Sequence, residues 1–223
     1  MTTGRGLTGP ERDSLERGGY LVVPSLLDET VLGRLRSGLE KLVRQTVAAW
    51  DADPDLDIAE PGVVRVKLDA NDSDFASCHE HPLLADAATA VLGQEWRMSG
   101  LLLRAPLPGC GHQGLHADFA QRRTRGPWQT LSAMWCISAF IPDNGPLRVI
   151  PGSHRVSQPP IDMSAFGSGL GPHPDEVKVV APAGSVILFN SADLWHSGTF
   201  NYSPTPRLAL TAGFAPDAHP SGP

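Results

Sequence analysis

Cysteine is scarce in this chain, and the three present, Cys78, Cys110 and Cys136, are widely spaced with no CxxC pair. An odd, scattered set excludes a disulfide framework and a thiolate zinc site, so free thiols in a reducing cytoplasm are expected. No run approaches the ~20 apolar residues that cross a bilayer. The opening MTTGRGLTGPERD has no apolar core of a secretion signal. The expectation is a soluble cytoplasmic protein with no membrane partner. Lysine is equally scarce: Lys41, Lys67 and Lys178 stand against fifteen arginines. Basic residues number 18 and acidic ones 24, a formal net charge of −6, so the footprint for nucleic acid is missing. Charged residues make up 19% of the chain, below the ~25% usual in globular proteins.

Glycine (23) and proline (21) are abundant instead, together about a fifth of the chain, which favours turns and short strands over long helices. The 223 residues suit one domain over 1–223, as a monomer or homodimer. Thr8 before Gly9-Pro10-Glu11 reads as a helix start, and Gly18-Gly19 as its stop. A strand Tyr20–Val23 follows, then a helix capped by Asp28. Its Val31, Leu32, Leu35, Leu39, Leu42 and Val43 recur at helical spacing to about Ala49. The acidic Asp51–Asp57 stretch reads as a solvated loop, and 83–92 as a short helix ending at Gly93. Trp96–Arg104, Met134–Ile141, Glu176–Val180, Ser185–Asn190 and Arg207–Phe214 then read as strands. A helical part over about 8–93 thus precedes a β core over about 94–215. The predicted class is mainly β with flanking α-helices, a sandwich or barrel.

His116 and Asp118 lie two apart in an extended segment, so imidazole and carboxylate project from one face and can grip one ion. His196, after the apolar strand at 185–190, offers a second histidine. Two histidines and one carboxylate suit octahedral Fe(II) with open positions. Zinc takes similar ligands, although the zincin HExxH is absent. In Arg207–Phe214, alternation puts Arg207, Ala209, Thr211 and Gly213 on one face and Leu208, Leu210, Ala212 and Phe214 on the other. An arginine aimed into a barrel with only small neighbours needs an anion. The other reading is an exposed arginine opening an edge strand.

Asn144-Gly-Pro-Leu-Arg-Val-Ile-Pro-Gly-Ser-His154 resembles the signature stretch of the phytanoyl-CoA dioxygenase-like Fe(II)/2-oxoglutarate oxygenases. The resemblance extends to the opening helix, strand and helix, to His116-Ala117-Asp118, and to His196 with Asn201 and Arg207. It implies a double-stranded β-helix (jelly-roll, cupin-like) core. Fe(II) would be held by His116, Asp118 and His196, and Arg207 would bind the distal carboxylate of 2-oxoglutarate. Trp135 matches a tryptophan of the preceding strand, and Thr130 and Arg104 join the cosubstrate candidates. Relatives commonly carry Ser two residues after the distal His, where this chain has Gly198, so Ser197 or Thr199 is expected to substitute. His154 is assigned to a structured loop at the site mouth rather than to the metal.

The activity so implied is hydroxylation of a small metabolite or natural-product intermediate, using O2 and releasing succinate and CO2. Desaturation or cyclisation by the same chemistry, or a non-catalytic cupin-like binding protein, are the alternatives. A carboxylate at Asp118 disfavours chlorination, because halogenating relatives carry Ala or Gly there. Arg122, Arg123 and Arg125, with Trp128 and Gln113, are the substrate candidates. The arginines suit a carboxylate or phosphate, or else form a solvated loop. Gly167–Gly171 reads as a flap or a plain surface loop.

Overall fold

The computed structural model describes residues 5–53, 55–157 and 170–217. Most of the glycine-rich flap expected at 167–171 lies outside the described residues. Helix α1 (Gly9–Gly18) opens on a capping box, in which Thr8 Oγ1 accepts from the Glu11 amide and the Glu11 carboxylate accepts from the Thr8 amide. Gly19 closes it at φ 76°, a left-handed conformation that glycine adopts without penalty. Strand β1 (Tyr20–Val23) leads to α2 (Glu29–Ala52), where Asp28 caps the Val31 amide and Leu32, Leu35, Leu39 and Val43 form one buried stripe.

After β2 (Val63–Lys67) and α3 (Pro82–Leu92), the remaining strands are β3 (Trp96–Pro106), β4 (Leu131–Cys136), β5 (Leu147–Val149), β6 (Val177–Lys178), β7 (Val186–Phe189), β8 (His196–Gly198) and β9 (Ala209–Pro216). Of the nine strands among the described residues, six form an antiparallel sheet in the order β1-β7-β4-β9-β3-β2, and β6-β5-β8 form a second, smaller one. The boundary expected near residue 93 does not separate helices from strands. The N-terminal part supplies β1 and β2, which cover both edges of the larger sheet. The strand expected at Met134–Ile141 runs earlier, because after Cys136 the chain leaves the large sheet and Phe140 pairs with Ala181.

The large sheet is buried on both faces. One face of β4, β7 and β9 (Ala133, Trp135, Val186, Leu188, Leu210, Phe214) packs with Leu32, Leu35, Leu39, Leu83 and Leu84 of the helices. The other (Met134, Cys136, Ile187, Phe189, Ala209) meets Phe140, Leu147 and Val149 between the sheets. The alternation expected for 207–214 is therefore present. Trp135 is a correction: odd-numbered β4 positions face the helices, so its indole lies in that core and donates to the Cys78 carbonyl at 2.7 Å. It lies on the opposite face of β4 from Met134 and Cys136, which face the space between the sheets.

Trp135→Phe would leave the buried Cys78 carbonyl without its donor. Urea unfolding should then show a loss of about 1–3 kcal/mol, with 2-oxoglutarate affinity unchanged.

Candidate metal centre

The segment after β3 runs back along β8. The His116 amide donates to the His196 carbonyl at 3.0 Å and the His196 amide to the His116 carbonyl at 2.8 Å. Directly opposed residues of an antiparallel pair share a face, so the rings meet with centroids 4.7 Å apart. Asp118, two positions on, returns to that face. Its Oδ1 is 3.6 Å from His116 Nε2 and 3.7 Å from His196 Nε2. One ligand atom from each of the three lies within 4.8 Å of the others, the only such metal-binding group among the described residues.

Both rings are oriented from behind. His116 Nδ1 is 2.8 Å from the Gly114 carbonyl and His196 Nδ1 is 2.9 Å from the Leu194 carbonyl. A carbonyl only accepts, so each Nδ1 carries the proton and each Nε2 lone pair faces the shared space. His196 is buried, against the edge of Phe189, whereas His116 and Asp118 are 39% and 44% exposed at their side chains. Burial, opposed by Asp118, pushes His196 down to about 4, which keeps its imidazole neutral and available to a metal at neutral pH. The site is thus walled on one side and open on the other.

Asp118 is fixed through its backbone, with its amide donating to the Ser191 carbonyl at 3.0 Å. Thr130 stands behind that turn, accepting from the Ala192 amide and meeting Ser191 Oγ at 3.0 Å. The buried Asp193 carboxylate accepts from the Arg123 amide at 2.6 Å and from Gln129 Nε2 at 3.2 Å. It ties the loop after Asp118 to the turn before His196.

Arg207 points between the sheets, 2% exposed, with Nε donating to the Gly145 carbonyl at 3.1 Å and its guanidinium 4.4 Å above the Phe140 ring. Its Nη1 is buried without a partner among the described residues. Burial first, and then the neighbouring Arg104, lowers it to about 9. Gly145, at φ 76°, lets the NGPL turn come this close; a Cβ there would be 3.0 Å from the Thr199 carbonyl oxygen.

The hydroxyls expected to assist Arg207 are engaged elsewhere. Ser197 Oγ accepts from Arg148 Nε at 2.6 Å, and Thr199 Oγ1 donates to the Pro146 carbonyl at 2.8 Å. Arg104 is paired with Glu60. Gln113 lines the edge of β8, its amide donating to the Gly198 carbonyl and its Oε1 accepting from the Gly198 amide. Arg122 is built into the frame: it donates to the Asp193 and Ser153 carbonyls, under Trp195. Arg123 and Arg125 are exposed on a cavity of about 240 Å³ shared with Trp128, His154 and Arg155. Trp128 itself is buried, edge-on to His154. His154 in turn meets the Glu16 carbonyl at 3.0 Å, so the signature loop docks on α1. Glu60, Phe189 and Asp193 escape a reading of the sequence, since nothing local marks them. Arg148 lies in the signature stretch, where its neighbours conceal that it is the buried hub of Ser197, Glu176 and the Gln113 carbonyl.

Comparisons with known proteins bear on the fold and the family. The chain is 27% identical to an ectoine dioxygenase of Bordetella bronchiseptica (strain ATCC BAA-588 / NCTC 13252 / RB50) over 231 residues, covering 90% of this chain and 73% of the relative. It is 27% identical to dioxygenase trt7 of Aspergillus terreus (strain NIH 2624 / FGSC A1156), covering 91% and 71%. Among solved structures, HygX from Streptomyces hygroscopicus with nickel, 2-oxoglutarate and hygromycin B bound superposes with a TM-score of 0.74 at 22% identity, over 95% of this chain and 88% of that one. EctD from S. alaskensis with bound Fe gives 0.71 at 24%, over 97% and 79%. These two likenesses establish the jelly-roll fold. Residues 15–209 match the profile of the family described as phytanoyl-CoA dioxygenase (PhyH), and over that span the chain belongs to the phytanoyl-CoA dioxygenase family.

Proposed function

We propose that this dioxygenase-family protein uses Fe(II), 2-oxoglutarate and O2 to hydroxylate a small-molecule metabolite or natural-product intermediate. His116, Asp118 and His196 serve as iron ligands, and Arg207 anchors the distal carboxylate of the cosubstrate. One observation carries this reading: a half-open face of two imidazoles and a carboxylate shares the inter-sheet space with a buried guanidinium that has no anion among the described residues. The donor set fits the ion, because two nitrogens and one oxygen on one face leave three octahedral positions free. The fit to a dicarboxylate rests on Arg207, whose unpartnered Nη1 lies where an acid would relieve a buried charge.

When bound, these groups supply the oxidation of a substrate C–H to C–OH, with 2-oxoglutarate and O2 consumed and succinate and CO2 released. The chain's own share is positional. The carbonyls of Gly114 and Leu194 hold the imidazoles in the ligating tautomer, Phe189 and the inter-sheet core keep water from the His196 side, and the exposed flank at His116 and Asp118 admits substrate. Ectoine and hygromycin B, which the relatives' names specify, are small molecules, in keeping with this substrate class. Arg123 and Arg125, exposed in the loop after Asp118, are suited to an acidic group on the substrate. Three unpaired cysteines support a cytoplasmic setting.

Alanine at His116, Asp118 or His196 should weaken Mn(II) binding, read by calorimetry, beyond the roughly 10–100-fold that outer contacts are worth, and should abolish Fe(II)-dependent succinate formation. Retention of both in all three variants would sink the ligand assignment. Arg207→Met should leave metal affinity unchanged and weaken 2-oxoglutarate binding by roughly 2–5 kcal/mol, read as a rise in Kd; an unchanged Kd would remove Arg207 from the site.

A further inference from the structure

Position 198 lies two residues after His196 and faces the same way, yet holds no side chain. A Cβ there would meet Arg104 Nη1 at 3.0 Å, Arg104 Nη2 at 3.3 Å and the Gly111 carbonyl oxygen at 2.9 Å. The guanidinium of Arg104 therefore fills the volume that a side chain at 198 would take. Arg104 lies on β3 directly opposite Ala209 of β9, so its side chain enters the inter-sheet space two residues from Arg207. It is 11% exposed and paired with Glu60, whose other oxygen faces Arg65 at 3.5 Å.

Arg104 and Arg207 thus enter one buried space, and the Glu60 carboxylate is paired with Arg104. Like charges in a low-dielectric interior oppose one another unless an anion joins them. Burial first, and then the positive charge of Arg104, lowers the proton affinity of Arg207, as expected of two cations in one interior. Ser197 and Thr199, the nearest hydroxyls in sequence, are turned to Arg148 and Pro146 and leave the role of second donor open.

We propose that Arg104, admitted by the missing side chain at Gly198 and steadied by Glu60, forms with Arg207 a two-guanidinium cradle for the distal carboxylate of 2-oxoglutarate. This rests on the function proposed above and assigns a cosubstrate-selecting role to the pair Gly198 and Arg104. Glu60 is a positioning residue, neutralising one of the two cations so that the cradle keeps a single net positive charge for its ligand. It follows that the cradle discriminates at the far end of the oxo acid and is indifferent to the end that chelates the metal.

The test is calorimetry on the Mn(II)-loaded full chain with two ligands: 2-oxoglutarate, and 2-oxopentanoate, which has the same five-carbon chain without the distal carboxylate. Arg104→Met/Glu60→Gln removes the cation without stranding the buried acid. It should weaken 2-oxoglutarate at least tenfold and leave 2-oxopentanoate within twofold. Gly198→Ala should weaken 2-oxoglutarate more in the wild-type background than in the Arg104→Met/Glu60→Gln background, where only the close approach to the Gly111 carbonyl oxygen remains. Unchanged 2-oxoglutarate affinity in the double variant, or equal losses for both ligands, would overturn the cradle. Should the double variant fail to give a cooperative melt, Gly198→Ala alone decides, with affinity within twofold of wild type counting against the proposal. Failure of the wild-type protein to bind 2-oxoglutarate would instead overturn the function proposed above, and the cradle with it.

Discussion

Two backbone hydrogen bonds between His116 and His196 hold the rest of the site in place. They bring residues eighty positions apart into direct opposition, and the pleat then decides that both imidazoles and the Asp118 carboxylate share a face. The pairing is extended on one side by the Gln113 amide at the Gly198 carbonyl and on the other by the Asp118 amide at the Ser191 carbonyl. Ligand geometry is therefore inherited from main chain, which moves less than side chains do. Asp193, fully buried, closes the arrangement by fastening the loop after Asp118 to the turn before His196.

The interior contrasts two buried arginines. Arg148 is surrounded by the Glu176 carboxylate, the Ser197 hydroxyl and the carbonyls of Gln113 and Gly171. Arg207 has one carbonyl, one aromatic face and an unpartnered nitrogen. A charge removed from water must find compensation within reach. Arg148 finds it in its own chain and braces β5 against β8, while the Nη1 of Arg207 finds none among the described residues. The same reasoning separates Arg122, committed to two carbonyls, from Arg123 and Arg125, which remain at the surface.

Burial of the large sheet on both faces explains which strands were legible. β7 reads clearly because it is a continuous apolar run bounded by turns, and β9 because its large apolar residues alternate with small ones. β5 and β8 are three residues long, too short for alternation to register, and β2 lies in a polar context. β8 nevertheless carries His196, which the sequence marked by residue type and not by periodicity. Trp135 shows the converse: a residue that matches a family position faced the helices, because the parity of β4 is set by its pairing with β7 and β9.

By itself the sequence determined the helices with their caps, the alternation around Arg207, and the residue types able to bind an oxidising metal. Those features depend on neighbours within a few positions, where propensity and spacing act directly. Only the tertiary structure decided that Ser197 and Thr199 turn away, that Arg104 occupies the volume at Gly198, and that Glu60 arrives from a distant loop. Such outcomes follow from strand parity and from how buried charges divide the available partners, and neither is encoded locally.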